Sequence, residues 1–301
     1  MQSKILSTTF LAILACLLWS TAFVGIKVGL EYTTPLQFAG IRFFLSGLYI
    51  LPFCGNIRHS LKSLAENRVQ VIRVAVFQTF LLYSLFYIGI SLVPAATTAI
   101  IIGASPLFAA IAAHLLLYDD RFTWKKMGSI LLGLSGVIII AISRENFSWT
   151  EGKEFWGILI LITANISSSI GNVAIVKYKT GLSPLLFNSG QLMLGGLGIF
   201  VLSIPLEGIS FSIKPLLYYV SLGWLSFMSA AAFSIWFVLL KRPGIKVSEL
   251  NIWKFLIPVF GAALSWLLLP GESPTVIPIV GMVFIGLSLI VLNLKNPSGG
   301  K

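Results

Sequence analysis

Three basic side chains, Lys27, Arg42 and Lys254, stand inside long apolar stretches of this chain. A charge at membrane depth is expensive to hold and usually belongs to a substrate or ion pathway. Arg42 falls only a few residues from the centre of its stretch, which leaves it either a binding group or a structural one holding backbone carbonyls at a helix break. The other two have cheaper explanations. Lys27 can snorkel outward to meet Glu31 four residues later, and Lys254 can reach the interface beside Glu249. What such cations offer chemically is a counter-charge for a carboxylate or another anionic group.

Uncharged residues recur at helical spacing around them. Trp19, Phe23 and Lys27 repeat every four residues and share one helix face, and Asn165, Ser169 and Asn172 form a comparable stripe. Gln78, Thr79, Tyr83 and Tyr87 mark a third segment; Ser226, Ser229 and Trp236 mark a fourth. Each set reads in two ways. The residues line a common cavity, or they bond neighbouring helices as Asn and Ser often do in membranes. Tyr87 and Trp236 also suit an interfacial aromatic belt, and for Tyr87 the belt is the favoured reading. The binding candidates are Trp19, Phe23, Arg42, Gln78, Tyr83, Asn165, Ser169, Asn172, Ser229, Trp236 and Lys254.

Acids are missing from the same depth. Every carboxylate, from Glu31 to Glu272, falls in a connection or at the end of an apolar stretch, so the relay expected of a proton-driven pump is absent. Facilitated flow or exchange of an anionic compound fits better. His114, the one histidine in an apolar stretch, reads as a packed neutral imidazole. With two scattered histidines and no buried acid there is neither a nucleophile and base nor a ligand cluster, so no enzyme, metal or cofactor is expected. Cys16 and Cys54 lie in or beside apolar runs and read as small core residues.

The elements that must position these residues follow from composition. Of 301 residues 57% are hydrophobic and 10% charged, and the charges cluster between apolar runs of roughly 20 residues, the length that spans a bilayer. Ten spans are expected, near 7–29, 35–54, 70–91, 94–117, 124–142, 155–177, 184–204, 216–240, 249–269 and 275–293, which makes an all-α membrane protein. No connection is long enough for a soluble domain. The N-terminal run imitates a secretory signal, but it continues to about Leu30 without a small-x-small cleavage site and reads as a retained signal-anchor. The net charge of +11 reflects orientation rather than nucleic-acid binding: 15 Lys and Arg fall on the side of both termini and 3 on the other, which places the termini in the cytoplasm of an inner-membrane protein.

The chain also repeats itself. GASPLFAAIAAHLLLYDDRFTWKKMGSILLGLSG, from Gly103, is echoed by FLIPVFGAALSWLLLPGESPTVIPIVGMVFIGLSL, from Phe255, with Pro106 on Pro258 and Asp120 on Glu272. The two prolines are candidate hinges at matching depths, or simple packing kinks. Two halves of five spans, 1–146 and 147–301, must enter the bilayer from opposite sides, so the repeats are expected to be inverted.

The residues LLWSTAFVGIKVGL in span 1, Pro35 and Arg42 in span 2, the Pro94 to Val137 stretch, and the Pro258, Glu272, Gly281 copy together resemble the EamA-type family of the drug/metabolite transporter superfamily. The resemblance covers nearly the whole chain, with one departure at Asp119-Asp120-Arg121, where the family usually has a single Glu. It implies a ten-helix carrier that moves small metabolites by alternating access, exporting them, from a cavity formed by spans 1, 3, 4, 6, 8 and 9. Amino acids or related carboxylate-bearing compounds are the expected cargo, with drugs, nucleotide-linked compounds or a non-transporting scaffold as alternatives. The expected partners are that small molecule and the lipid bilayer, no nucleic acid, and at most a second copy.

Overall fold

A computed structural model describes residues 2–93, 95–142, 153–178, 180–208, 213–268 and 276–294. Among the described residues ten helices are long and apolar enough to cross a membrane: Thr8–Leu30, Pro35–Cys54, Arg68–Ile90, Thr97–Leu116, Trp124–Ile142, Lys153–Lys177, Pro184–Glu207, Leu216–Leu240, Val247–Leu264 and Val276–Asn293. These are spans 1 to 10, close to the boundaries expected from the apolar runs, and no strand occurs among the described residues. Two contacts gather the basic connections at one end of the bundle: Lys125 donates to the Leu294 carbonyl, and Arg242 donates to Thr8 Oγ1 at 3.0 Å. We call this the basic end.

Spans 2 and 7 make the most intimate pair, and spans 5 and 10 the next. Small residues permit this. A Cβ on Gly196 would lie 2.4 Å from the Phe44 nitrogen, and one on Gly136 would lie 2.5 Å from the Gly281 carbonyl oxygen, so these helices touch through their backbones. Bulkier packing fills the remainder, with Phe43, Phe187, Trp236 and Phe237 fully buried.

Several spans are interrupted, each for a local reason. Span 1 breaks at Thr21, where Ser20 and Thr21 hydroxyls donate to the Leu17 and Leu18 carbonyls at 2.6 and 2.7 Å and compete with the helical ladder. Span 4 breaks at Ala104 and span 9 tightens to 3₁₀ geometry over Trp253–Phe255. Both interruptions lie just upstream of Pro106 and Pro258, whose rings remove a donor and crowd the preceding turn. Span 3 contains a π-helical stretch, Ala75–Leu81, that carries Gln78 and Thr79.

The polar connection after span 2 holds a helix, Ile57–Glu66, capped by Asn56, whose Oδ1 accepts from His59 N at 3.2 Å. Ile57 and Leu61 on it are about half exposed beside Arg58 and Lys62, the pattern of a helix lying along a membrane surface. The apolar run was too short to signal it.

Two carboxylates tie span ends together. At the basic end Asp120 accepts from Lys126 Nζ at 2.6 Å, from Ser248 N at 2.9 Å and from the Ser248 hydroxyl. It thereby caps the start of span 9 while burying an ion pair. Lys126 also donates to the Arg121 carbonyl at 3.0 Å and lies 3.8 Å from Glu249. At the other end Glu207 accepts from Leu36 N and Gln37 N at 2.9 and 3.0 Å, which satisfies the free amides at the start of span 2. Lys241, just beyond span 8, donates to the Tyr178 carbonyl at 2.7 Å, and burial pushes its ammonium below the usual lysine range.

Candidate functional site

A row of aromatic rings fills the space where spans 1, 2, 3 and 8 meet. Trp19 lies edge-on to Phe233 and Trp236, with centroids 5.3 and 5.0 Å away. Phe43 packs on Tyr83 at 4.2 Å and on Phe233 at 6.3 Å, which carries the row across to spans 2 and 3. Two of the interruptions described above border it. Trp19 stands next to the break in span 1, and Lys254 stands within the 3₁₀ turn of span 9.

One cation sits at each end of this row. The Arg42 guanidinium carbon lies 4.4 Å from the Phe43 ring centre and 5.8 Å from that of Tyr83. Arg42 is 4% exposed, yet its Nε and one Nη have no hydrogen-bond partner. Lys254 Nζ lies 5.0 Å from the Trp236 ring and 5.8 Å from that of Trp19. Neither cation has a carboxylate partner among the described residues, and every described carboxylate lies in a connection or near a span end. Cation–π attraction recovers part of the cost of burying a charge; an unpaired guanidinium in such a place still wants an acceptor.

The neutral donors show the same imbalance. Trp236 Nε1 donates to Asn172 Oδ1 at 3.0 Å, and Asn172 Nδ2 donates to the Ser168 carbonyl, so both polar atoms of that amide are engaged. Trp19 Nε1 is buried without a partner. Donors exceed acceptors along the row, and an anionic ligand would redress that.

Other residues expected in the site do different work. Asn165 Nδ2 donates to the Ile101 carbonyl at 2.5 Å, in the turn before Pro106, so it bonds the interruption in span 4 rather than the ring row. Ser169 donates to the Asn165 carbonyl within its own helix. Gln78 presses against Gly171 of span 6, where a Cβ would meet its Oε1 at 2.4 Å, and that oxygen is unpartnered. Ser229 is buried, 1% exposed, in span 8. The side chain of Phe23 lies outside the described ones. Lys254 does not reach the interface beside Glu249, because the helix tightens there and turns it onto the tryptophans, while Glu249 faces Lys126 and Lys246. Lys27 is exposed and makes no ion pair with Glu31. The interfacial belt reading fails for Tyr87 and Trp236, which are 3% and 0% exposed.

Spacing did not flag Phe43 and Phe233; Thr79, which it placed with Tyr83 and Tyr87 in span 3, stands within the π-helical turn. Thr79 Oγ1 donates to Gln191 Oε1 at 2.6 Å, Gln191 Nε2 to Asn188 Oδ1 at 2.9 Å, and Asn188 Nδ2 to Ser234 Oγ at 3.1 Å. This chain of amides ties spans 3, 7 and 8. His114 Nδ1 accepts from Phe122 N at 3.2 Å, the bond a neutral imidazole makes. No metal-ligating cluster occurs among the described residues.

The whole architecture has counterparts. A solved crystal structure of a protein superposes with a TM-score of 0.78 at 17% identity, over 95% of this chain and 96% of its own, which establishes the common fold. Among curated proteins, an S-adenosylmethionine/S-adenosylhomocysteine transporter of Chlamydia trachomatis serovar L2 is 27% identical, with 93% of this chain and 88% of its own covered. A "Probable amino-acid metabolite efflux pump" of Escherichia coli K12 is 25% identical, with coverage of 94% and 92%. The model of the EamA-like transporter family matches at residues 6–142 and again at 155–294. Ten membrane-length helices, a family match taken twice along the chain and relatives named as transporters converge: this chain is a multi-pass membrane transporter that belongs to the EamA-like transporter family.

Proposed function

We propose that the protein carries small carboxylate-bearing metabolites, amino acids or related compounds, across the inner membrane by alternating access, and that it works as an exporter. The observation that carries this reading is Arg42: a guanidinium 4% exposed, framed by Phe43 and Tyr83, with Nε and one Nη unpartnered and no acid beside it among the described residues. A substrate carboxylate would supply the missing acceptor in bidentate form. Trp19, Trp236, Asn172 and Lys254 would form the remaining wall. Two inverted halves, 1–146 and 147–301, would rock about the interruptions before Pro106 and Pro258, with both termini in the cytoplasm. The relatives' names support small organic cargo carrying an α-amino acid moiety, S-adenosylmethionine among them.

The test is exchange in liposomes. Purified protein should move at least one labelled amino acid or related acid, and Arg42→Ala should lower that flux by about 30-fold or more, the loss of one charge-assisted bidentate contact. Transport of the methyl ester at the same rate as the parent acid would overturn the carboxylate reading. Orientation is tested separately in a cysteine-free background: Thr123→Cys should label from the cytoplasm and Ser273→Cys from outside, and labelling from one side would refute the inversion.

A further inference from the structure

We propose that the preferred cargo is an organic dianion whose two acidic groups are separated by an apolar body, one acid held by Arg42 and the other by Lys254. The proposal rests on the Arg42 reading above and adds a second pole to it. Lys254, from the opposite half of the chain, is a second cation without a carboxylate: a half-buried side chain inside span 9, against the rings of Trp19 and Trp236 and near the Cys16 thiol, with no ion pair among the described residues. The one carboxylate on its own span, Glu249, is engaged 3.8 Å from Lys126 and 4.0 Å from Lys246.

Aromatic rings run between the poles. Phe43, Phe233, Trp19 and Trp236 follow one another from Arg42 to Lys254 at centroid separations of 6.3, 5.3 and 5.0 Å. A ligand touching both cations must therefore lay apolar or planar surface along the row, where the unpartnered Trp19 Nε1 is a further donor. A monoanion would leave one of the two cations without a counter-charge. A single group with two charges would balance the sum but reach only one pole.

The discriminating experiment is uptake by proteoliposomes of radiolabelled α,ω-diacids of four to eight carbons and of isophthalate, each against its monomethyl ester, with phenyl phosphate as competitor. Diacids should enter at least tenfold faster than their monoesters, and phenyl phosphate should compete poorly. Lys254→Met should lower the diacid-to-monoester ratio at least tenfold, and Lys254→Arg should retain most of it; the ratio does not depend on how much variant folds. Equal rates for diacid and monoester in the parent protein, or an unchanged ratio in Lys254→Met, would overturn the dianion, as would competition by phenyl phosphate equal to the diacids'. If equal rates are found and Arg42→Ala abolishes both, the carboxylate site stands and the second pole falls. If no acid enters, both fall.

Discussion

Lys126 and Lys254 both stand close to the start of span 9, but they are treated differently. Lys126 is 3% exposed and holds Asp120 at 2.6 Å, with the Arg121 carbonyl as a second acceptor and Ser248 completing the carboxylate's bonds. Lys254, six residues beyond Ser248, has the faces of Trp19 and Trp236 and the nearby Cys16 thiol, but no carboxylate among the described residues. One cluster has every charge answered from within the chain; the other, with Arg42 across the ring row, leaves charges that the chain does not answer. Folding alone favours the first arrangement. The second persists because something from outside the chain completes it, and proteins commonly give up local consistency where they function.

The sharpest way to break the comparison is to unpair the first cluster. Asp120→Ala would leave Lys126 buried without its counter-ion and remove the acceptor of Ser248 N, for a loss of about 3–5 kcal/mol. Denaturation in detergent should show it as a large fall in midpoint. Adding Lys126→Met should restore most of the loss, since two removed charges cost far less than one left alone. Parent-like stability in Asp120→Ala would mean that the ion pair holds nothing together.

The second cluster should respond with the opposite sign. Arg42→Met removes an unpaired charge from the interior and keeps its apolar bulk, so stability should hold or rise by about 1–3 kcal/mol while transport collapses. The same denaturation assay measures it. A loss approaching that of Asp120→Ala would recast Arg42 as a structural residue holding backbone carbonyls.

How much of this was legible beforehand depends on the range of the interaction. Ten spans, the polar stripes and the three intramembrane cations follow from local hydropathy and 3.6-residue spacing, which need only the chain's own neighbours. The breaks were half legible: Pro106 and Pro258 mark two of them, whereas the one at Thr21 depends on hydroxyls turning back onto the Leu17 and Leu18 carbonyls. Partner choice was not legible. Asn165 and Asn172 share one stripe, yet the first bonds Ile101 in span 4 and the second Trp236 in span 8, because span 6 presents them to different neighbours. Asp120 looked like a loop acid beside a basic cluster; only the approach of Ser248, 128 residues away, buries it. The helix Ile57–Glu66 was hidden for the reverse reason: Ile57 and Leu61 stand half exposed on it, while Leu64 turns inward onto Gly190, a neighbour far along the chain.

The finest test of answered against unanswered groups lies inside the ring row, between two tryptophans whose centroids are 5.0 Å apart. Trp236 Nε1 has Asn172 Oδ1 at 3.0 Å; Trp19 Nε1 has no partner. Replacing either by Phe removes the same atoms, so the volume terms roughly cancel and the indole donor is what differs. Trp236→Phe should cost about 1 kcal/mol more than Trp19→Phe, because it also strands a buried amide oxygen. Ligand should reverse the order. If Trp19 Nε1 is kept free for cargo, the thermal stabilisation given by a transported acid should shrink more in Trp19→Phe than in Trp236→Phe. Equal shrinkage in the two variants would mean that the free indole donor faces no ligand, and that only the two cations distinguish this cluster from an ordinary aromatic core.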